Sequence, residues 1–189
     1  PISIDTAKSE VARLALENGA SIVNDITGLE SDPEIIDVAR EFNAMVVLMH
    51  IKGTPQTMQH SPNYGNLIQE IKEKLKAIIE KSIIGGIKKE NIIIDPGIGF
   101  GKTLEHNIQI LNRLSEFKEF KLPVLIGTSR KSFIGKLTGA EPDKRQFGTA
   151  ASVAIAIKNG ADIIRVHDVK EMKQVIAVAD AISRSGEAQ

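Results

Sequence analysis

The clearest chemical signal in this sequence is an aspartate followed by a glycine-rich run. Residues 91–102 read Asn-Ile-Ile-Ile-Asp-Pro-Gly-Ile-Gly-Phe-Gly-Lys. The three consecutive isoleucines predict a strand buried on both faces, and Asp95 stands where that strand gives way to a loop. A carboxylate in this position can accept two parallel hydrogen bonds from a flat amidine-like or guanidine-like group. The structural alternative is that Asp95 caps the helix beginning near Thr103 or pairs with a lysine.

The glycines of this run form neither of two common phosphate-binding motifs. A Walker A loop requires a glycine five residues before the Gly-Lys-Thr at 101–103, but Pro96 occupies that position. A dinucleotide fingerprint has the spacing Gly-x-Gly-x-x-Gly, and here the third glycine comes one residue early. The glycines therefore predict close approach of the backbone to a ligand rather than a known phosphate loop.

Two later segments carry the basic residues that a phosphate needs. Ser129-Arg130-Lys131-Ser132 follows Gly127, and Arg165-Val166-His167 ends the last predicted strand. Alternation places Arg165 and His167 on the same side of an extended segment. Arg, Lys and His beside the backbone N–H groups of a helix start suit a phosphate or pyrophosphate. The alternative is a solvated basic turn beside a structural arginine.

Other polar positions have both a chemical and a structural interpretation. Asn24 can donate to and accept from the edge of a heterocycle, whereas Asp25 beside it equally fits a loop role. Asp5 ends the first predicted strand, where it could contact a ligand or cap the next helix. His50, in a long loop after the third strand, could contact a ligand, be simply solvated or form a local hydrogen bond.

The elements that must position these residues alternate between strand and helix, which predicts a parallel sheet in one domain spanning residues 1–189. Every predicted strand ends in a polar group able to do chemistry. A closed (β/α)₈ barrel brings all strand ends to one rim, so we expect a TIM barrel rather than an open doubly wound sheet. The predicted strands are 2–4, 21–23, 44–49, 91–94, 123–126 and 161–166. The predicted helices are 6–16, one opened by Asp32-Pro33, one from about 63 to Gly85-Gly86, 104–117, 145–158 and 169–183.

Only six βα units of the expected eight are present. The sequence begins with Pro1 inside a predicted strand, so we expect the first two units to lie upstream.

Composition excludes several classes of function. The 189 residues include 24 basic and 24 acidic side chains, so no overall charge favours nucleic acid or an anionic membrane. The absence of cysteine excludes disulfides and Cys-ligated metals and is compatible with a reducing cytoplasm. His60 and His106 have no partner motif for zinc, and no Gly-x-Ser-x-Gly elbow predicts a serine hydrolase. No apolar run approaches the roughly 18–20 residues of a membrane span.

In combination and in order, these motifs resemble the dihydropteroate synthase family. The resemblance covers nearly the whole chain. It rests on Ile4-Asp5-Thr6, Asn24-Asp25, Leu48-Met49-His50, Gly53-x-Pro55-x-x-Met58, the run from Asp95 to Lys102, Gly127-x-Ser129-Arg130-Lys131-Ser132, and Ile164-Arg165-Val166-His167-Asp168.

The resemblance implies a TIM barrel that joins 6-hydroxymethyl-7,8-dihydropterin diphosphate to 4-aminobenzoate in folate biosynthesis. It implies that Asp95, Asn24 and Asp5 bind the pterin, that Lys131 contacts it, and that Arg165 stacks on it while reaching the diphosphate. His167 would bind phosphate, and Ser132 would lie near the aminobenzoate, where sulfonamides compete. The implied catalytic residues are Lys131, Arg165 and His167, and Met49, Phe100 and Gly127 complete the substrate-binding set.

The resemblance also implies features beyond these residues. Mg²⁺ is the expected cofactor, with its ligand in the upstream part and none in this chain. A cytoplasmic homodimer is expected, and the small residues of helix 145–158 fit either close packing or self-association. The activity is inferred for the whole protein rather than for this chain alone. The rivals are a pterin-binding methyltetrahydrofolate–corrinoid methyltransferase, which would not need the basic residues, and a non-catalytic pterin- or folate-binding barrel.

Overall fold

The computed structural model describes residues 1–54, 56–58 and 62–185, in which parallel strands alternate with helices. The strands are β1 (Ser3–Asp5), β2 (Ile22–Asp25), β3 (Met45–Met49), β4 (Ile92–Asp95), β5 (Leu125–Ile126) and β6 (Ile163–Ile164). The α-helices are α1 (Ser9–Glu17), α2 (Ile35–Glu41), α3 (Leu67–Ile84), α4 (Leu104–Asn112), α5 (Ser132–Thr138), α6 (Gln146–Lys158) and α7 (Val169–Arg184). Short 3₁₀ helices cover Lys89–Asn91, Leu114–Phe120 and Pro142–Lys144.

The strands lie side by side in chain order, as they do in a barrel wall. β1 to β4 form one parallel sheet, and β5 pairs with β6 in parallel. A parallel bridge between Ile94 and Val124 joins the two sheets. The carboxyl ends of all these strands therefore meet at one edge, as the barrel prediction requires.

The isoleucine run of β4 is buried on both faces, which confirms the prediction made from its composition. Ile92 and Ile94 belong to the main core between the sheet and the helices. Ile93 packs on the opposite face with Val47 and Leu125. The group formed by Ile93, Val47 and Leu125 fills the inner side of the curved sheet. Both faces of β4 are therefore covered by protein.

Helix α3 follows its predicted apolar pattern but begins later than predicted. The side chain of Asn66 accepts a hydrogen bond of 3.3 Å from Gln69 N, so Asn66 is the N-cap and Leu67 the first helical residue. Six residues of the predicted face are buried, each contributing about 1.5–3 kcal/mol: Leu67, Ile68, Ile71, Leu75, Ile78 and Ile79. Ile83, the last residue of the predicted pattern, is 43% exposed. Gly85 and Gly86 follow the last turn, as predicted.

Two helix boundaries differ from the prediction, and one helix was not predicted. Asp32 is not the N-cap of α2; its carboxylate accepts hydrogen bonds from Ser9 N at 2.6 Å and Glu34 N at 3.1 Å. The helix predicted over 104–117 ends at Asn112 and continues as the 3₁₀ helix Leu114–Phe120. Helix α5 was not predicted, because seven residues are too few to establish an apolar period.

Close packing explains part of the small-residue composition of α6. A Cβ built on Gly148 would lie 2.3 Å from Cγ2 of Ile134 on α5. Thr149, Ser152 and Ala156 of the same helix are buried. The prediction of close packing is therefore confirmed for the inner face of α6, while self-association stays a prediction.

Candidate active site

The predicted site residues converge on a cavity of about 190 Å³ at the carboxyl ends of the strands. Strand register explains part of the convergence, because Met49 is paired with Asp95 across β3 and β4. All the predicted substrate-binding residues except Asp5 and Ser132 line it. The lining is Asn24, Ile26, Met49, Asp95, Phe100, Gly127, Ser129, Lys131, Arg165, Val166 and His167.

A larger cavity of about 640 Å³ lies beside this one and shares Asn24 and Ile26 with it. Asp5, hydroxyl side chains and the loop after β3 line this larger space. Its lining includes neither Asp95 nor Lys131, Arg165 and His167. The larger cavity is therefore not the one that holds the residues able to do chemistry. We place the reactive site in the smaller cavity, because only there do a carboxylate and several cations converge.

Asp95 is the acid of this cavity, and its surroundings are suited to a cationic or guanidine-like ligand. The side chain is buried, and Oδ1 accepts a hydrogen bond of 2.7 Å from Gly97 N. Burial raises the pKa of the carboxyl, while Lys131, Lys102 and Arg165 act in the opposite direction. The capping alternative is wrong: Oγ1 of Thr103 caps α4 by accepting from His106 N at 3.2 Å.

Asp5 lies outside the smaller cavity and contacts two of the residues that line it. Asn24 Nδ2 donates to Oδ1 of Asp5 at 2.9 Å, and Arg165 Nη2 donates to Oδ2 of Asp5. The Arg165 side chain is 60% exposed, so its guanidinium lies at the open side of the cavity. Asp5 therefore orients an amide and a cation from the outside.

Lys131 lies between the acid and the aromatic wall of the cavity. Its Nζ is 4.5 Å from the centre of the Phe100 ring, a cation–π distance, and donates to the carbonyl of Ile98. Burial lowers the pKa of Lys131 to about 8, although Asp95 opposes the shift. The ammonium is thus charged at neutral pH while being a readier proton donor than an exposed lysine.

Ser129 is a cavity residue that sequence reasoning did not select, and it orients His167. Its Oγ accepts a hydrogen bond of 3.2 Å from His167 N and lies 2.8 Å from His167 Nδ1. A histidine whose Nδ1 is engaged in this way presents Nε2 to a ligand. The sequence names Ser129 as part of the basic segment, but the residue stands in a turn after β5, so the alternation of an extended segment does not place its side chain.

Arg130 belongs to the basic segment but does not line the cavity. Its Nη2 and Nε donate to the Asp168 carboxylate at 2.5 and 3.2 Å. Its φ is +59°, in the left-handed region, and its carbonyl accepts from Arg145 Nη1 at 2.9 Å. The expected convergence of Arg130 on the anion is therefore wrong; this residue ties the loop after β5 to the loop after β6.

The remaining predictions concern His50, Ser132 and His60. His50 is 3% exposed, and its Nδ1 lies 3.0 Å from Lys102 Nζ, so the solvated interpretation is wrong. Burial, and then the Lys102 charge, lower the pKa of His50 to about 2, which keeps the ring neutral. Ser132 is exposed at the first turn of α5, outside the cavity lining. His60 lies outside the described residues.

Comparisons with known proteins identify the family that the chain resembles. The family described as pterin binding enzyme matches residues 1–167. The dihydropteroate synthase of Synechocystis is 51% identical over 185 residues, covering 97% of this chain and 64% of the relative. That of Escherichia coli K12 is 46% identical over 180 residues, covering 95% of this chain and 64% of the relative. The chain thus spans about 64% of the length of these curated relatives.

Solved structures resemble the whole described fold. The Yersinia pestis dihydropteroate synthase, solved with a sulfonamide drug complex, superposes with a TM-score of 0.94 at 42% identity, covering 97% of this chain and 66% of that one. The Thermus thermophilus enzyme in complex with 6HMPPP gives 0.91 at 38% identity, covering 96% and 72%. These matches confirm the TIM-barrel class and the resemblance drawn from the motifs. The chain belongs to the family of pterin-binding enzymes.

Proposed function

We propose that the whole protein is a dihydropteroate synthase. It joins 6-hydroxymethyl-7,8-dihydropterin diphosphate to 4-aminobenzoate and releases 7,8-dihydropteroate and pyrophosphate. The observation that carries the proposal is the single cavity in which buried Asp95 lies with Lys131, Arg165 and His167. A pterin diphosphate needs both features, because one end is a flat guanidine-like edge and the other a multiply charged anion.

The heterocycle end of the substrate is assigned to the inner part of the cavity. Asp95 accepts hydrogen bonds from the amino-pyrimidine edge, each charge-assisted bond worth about 1.5–3 kcal/mol. Asn24 adds a donor or acceptor from the neighbouring strand. Met49, which is buried, and Phe100 form apolar walls for the ring.

The diphosphate end is assigned to Arg165 and His167 at the open side. Arg165 offers a flat fork of donors, and His167, oriented by Ser129, offers Nε2 to a phosphate oxygen. The Asp5 carboxylate that now bonds Arg165 is half exposed, so Arg165 can exchange this contact for phosphate at small cost.

The proposed reaction is a direct displacement. The aminobenzoate nitrogen attacks the methylene carbon of the pterin and forms a C–N bond. The C–O bond breaks, its electron pair leaves with pyrophosphate, and the nitrogen releases one proton. Lys131, Arg165 and His167 stabilise the departing charge, and positioning supplies the rest of the catalysis without a covalent enzyme intermediate. Ser132, at the exposed start of α5, would contact the aminobenzoate, where sulfonamides would compete.

Mg²⁺ is part of the proposal only as a counter-ion of the diphosphate. In residues 1–54, 56–58 and 62–185, no three His, Asp or Glu side chains are grouped so that they could hold a metal ion. No step of the reaction is assigned to the ion. The protein ligand for Mg²⁺ is proposed to lie outside this chain.

We also propose a cytoplasmic homodimer. Exposed apolar side chains on α6 and α7 support self-association, with Phe147 87% and Val178 61% exposed. None of the helices in the described ranges is long and apolar enough to cross a membrane. Sedimentation of the full-length protein tests the dimer: a single species of monomer mass at micromolar concentration would refute it.

Incubating full-length protein with pterin diphosphate, 4-aminobenzoate and Mg²⁺ tests the main proposal. Dihydropteroate and pyrophosphate should form in equal amounts. Binding of the pterin without either product would indicate a non-catalytic barrel and refute the synthase. Methyl transfer from methyltetrahydrofolate to a corrinoid would identify the rival enzyme instead.

A further inference from the structure

Lys102 ends the glycine-rich run and is the one buried lysine within residues 1–54, 56–58 and 62–185. It is 4% exposed. Its Nζ donates to the Phe100 carbonyl at 2.9 Å, lies 3.0 Å from His50 Nδ1 and is 3.4 Å from the His50 carbonyl. The ammonium therefore connects the glycine loop after β4 to the end of β3.

A second lysine bonds to the same loop. Lys131 Nζ donates to the Ile98 carbonyl, whereas Lys102 Nζ donates to the Phe100 carbonyl. Lys131 also lies over the Phe100 ring. Two lysines from different loops thus bond to alternate carbonyls, and Phe100 is contacted through its backbone by one and through its ring by the other.

The loop also touches the segment after β3 at two glycines, where a side chain would not fit. A Cβ on Gly97 would lie 1.9 Å from the His50 carbonyl oxygen, and one on Gly101 would lie 2.5 Å from the Lys52 carbonyl oxygen. Both glycines have positive φ, 76° and 64°. Tyr64 OH adds a hydrogen bond of 2.8 Å to the Gly101 carbonyl. The backbone path of the loop is therefore defined against β3 on one side.

Stability alone does not require an ammonium at this position. Burial lowers the pKa of Lys102 to about 7, which means that the folded state disfavours its charge. A methionine would fill the same space without that desolvation. What Lys102 contributes at this position is therefore its hydrogen bonding to Phe100 and His50 rather than its charge.

Resting on the proposed function, we propose that Lys102 is a positioning residue. By bonding the Phe100 carbonyl and the end of β3 together, it sets the place of the Phe100 ring, which forms one wall of the pterin cavity. Lys102 does not itself line the cavity. Its effect on the pterin passes through Phe100.

The test compares full-length wild type with Lys102→Met, using binding of 6-hydroxymethyl-7,8-dihydropterin diphosphate as the readout. Binding should weaken about tenfold, with a matching fall in kcat/KM, while the thermal midpoint stays the same or rises. Lys72→Met is the matched control. Lys72 is a largely buried lysine, 2.7 Å from Glu119 and remote from the cavity, so its variant should bind pterin like the wild type.

A double-mutant cycle tests whether the effect passes through Phe100. If it does, Lys102→Met added to Phe100→Ala weakens pterin binding by no more than about twofold beyond Phe100→Ala alone. Should Lys102→Met not fold, Lys102→Leu, which likewise removes the donor, takes its place under the same criterion. Unchanged binding in the single variant, or additive effects in the double variant, would overturn the proposal.

This measurement is separate from the test of the synthase. Pterin binding is measured without aminobenzoate and does not depend on turnover. A wild type that binds the pterin but forms no dihydropteroate would refute the proposed reaction and still leave the Lys102 comparison decisive.

Discussion

Asn24 Nδ2 donates to Asp5 Oδ1 at 2.9 Å, and the two residues are register partners on β2 and β1. The bond fixes which end of the Asn24 amide faces Asp5. The Asn24 carbonyl oxygen is then the end that can accept from a ligand N–H. An exposed acid outside the cavity thereby determines the hydrogen-bonding sense of a residue inside it.

Asp5→Ala should therefore weaken pterin binding by about two- to tenfold. This factor corresponds to the loss of one hydrogen bond, which contributes about 0.5–1.5 kcal/mol. Its effect on the free energy of unfolding should stay below about 1 kcal/mol, because its ion pair with Arg165 is exposed. Titration calorimetry and urea unfolding give the two numbers. Glu41→Ala removes an equally exposed ion-paired acid far from the cavity and should leave binding unchanged. Equal effects of the two variants on binding would contradict the role given to Asp5.

Asp95→Asn should reduce pterin affinity strongly without reducing the free energy of unfolding. Burial raises the pKa of this carboxyl, so a neutral amide should leave the free energy of unfolding unchanged or higher. Pterin affinity should fall by about 10- to 100-fold, because a charge-assisted pair is lost. Asp25→Ala is the contrasting variant: its carboxylate accepts from Thr27 N and Leu29 N, both at 2.8 Å, so its loss should cost about 1–3 kcal/mol of stability. Unaltered pterin affinity in Asp95→Asn would remove Asp95 from the site.

The relative stability of two variants at Arg130 should show that its backbone conformation is strained. Because φ is +59°, Arg130→Gly should be more stable than Arg130→Ala by about 1 kcal/mol, although both lose the Asp168 ion pair. Thermal unfolding of the two variants measures the difference. At Lys136, a helical position in α5, the same pair should rank in the opposite order, with alanine more stable than glycine.

The stability of the protein should rise with pH above neutrality because of Lys102. Its folded pKa is about 7 and its ordinary value 10.5, so between these values the unfolded chain binds the proton that the folded chain has released. Stability then increases with pH, by up to about 1.4 kcal/mol per pH unit from this group, and levels off above pH 10.5. Urea unfolding at several pH values should show the stability advantage of Lys102→Met over wild type shrinking as pH rises. A stability difference between the two proteins that does not change with pH would contradict the lowered pKa of Lys102.

Some elements were predictable from local pattern because their determinants are local. The isoleucine run before Asp95 predicts a strand buried on both faces in any parallel sheet, and β4 has that environment. Gly85-Gly86 was predicted to end α3 and follows its last turn, whereas the N-cap Asn66 lies later than the predicted start near residue 63. Boundaries failed where a distant partner intervened, as at Asp32, whose carboxylate bonds to Ser9 N rather than capping α2.

The sequence by itself determined which strand ends carry acids, amides and cations, and that all of them would share one rim. Tertiary structure alone decided how they pair. Lys102 is buried on His50, Arg130 turns to Asp168, and Ser129 orients His167. Each pair joins residues that are far apart in the chain, so its formation depends on where two loops meet. Each side chain takes the partner that loop packing brings within about 3 Å, and the local sequence pattern does not predict that partner.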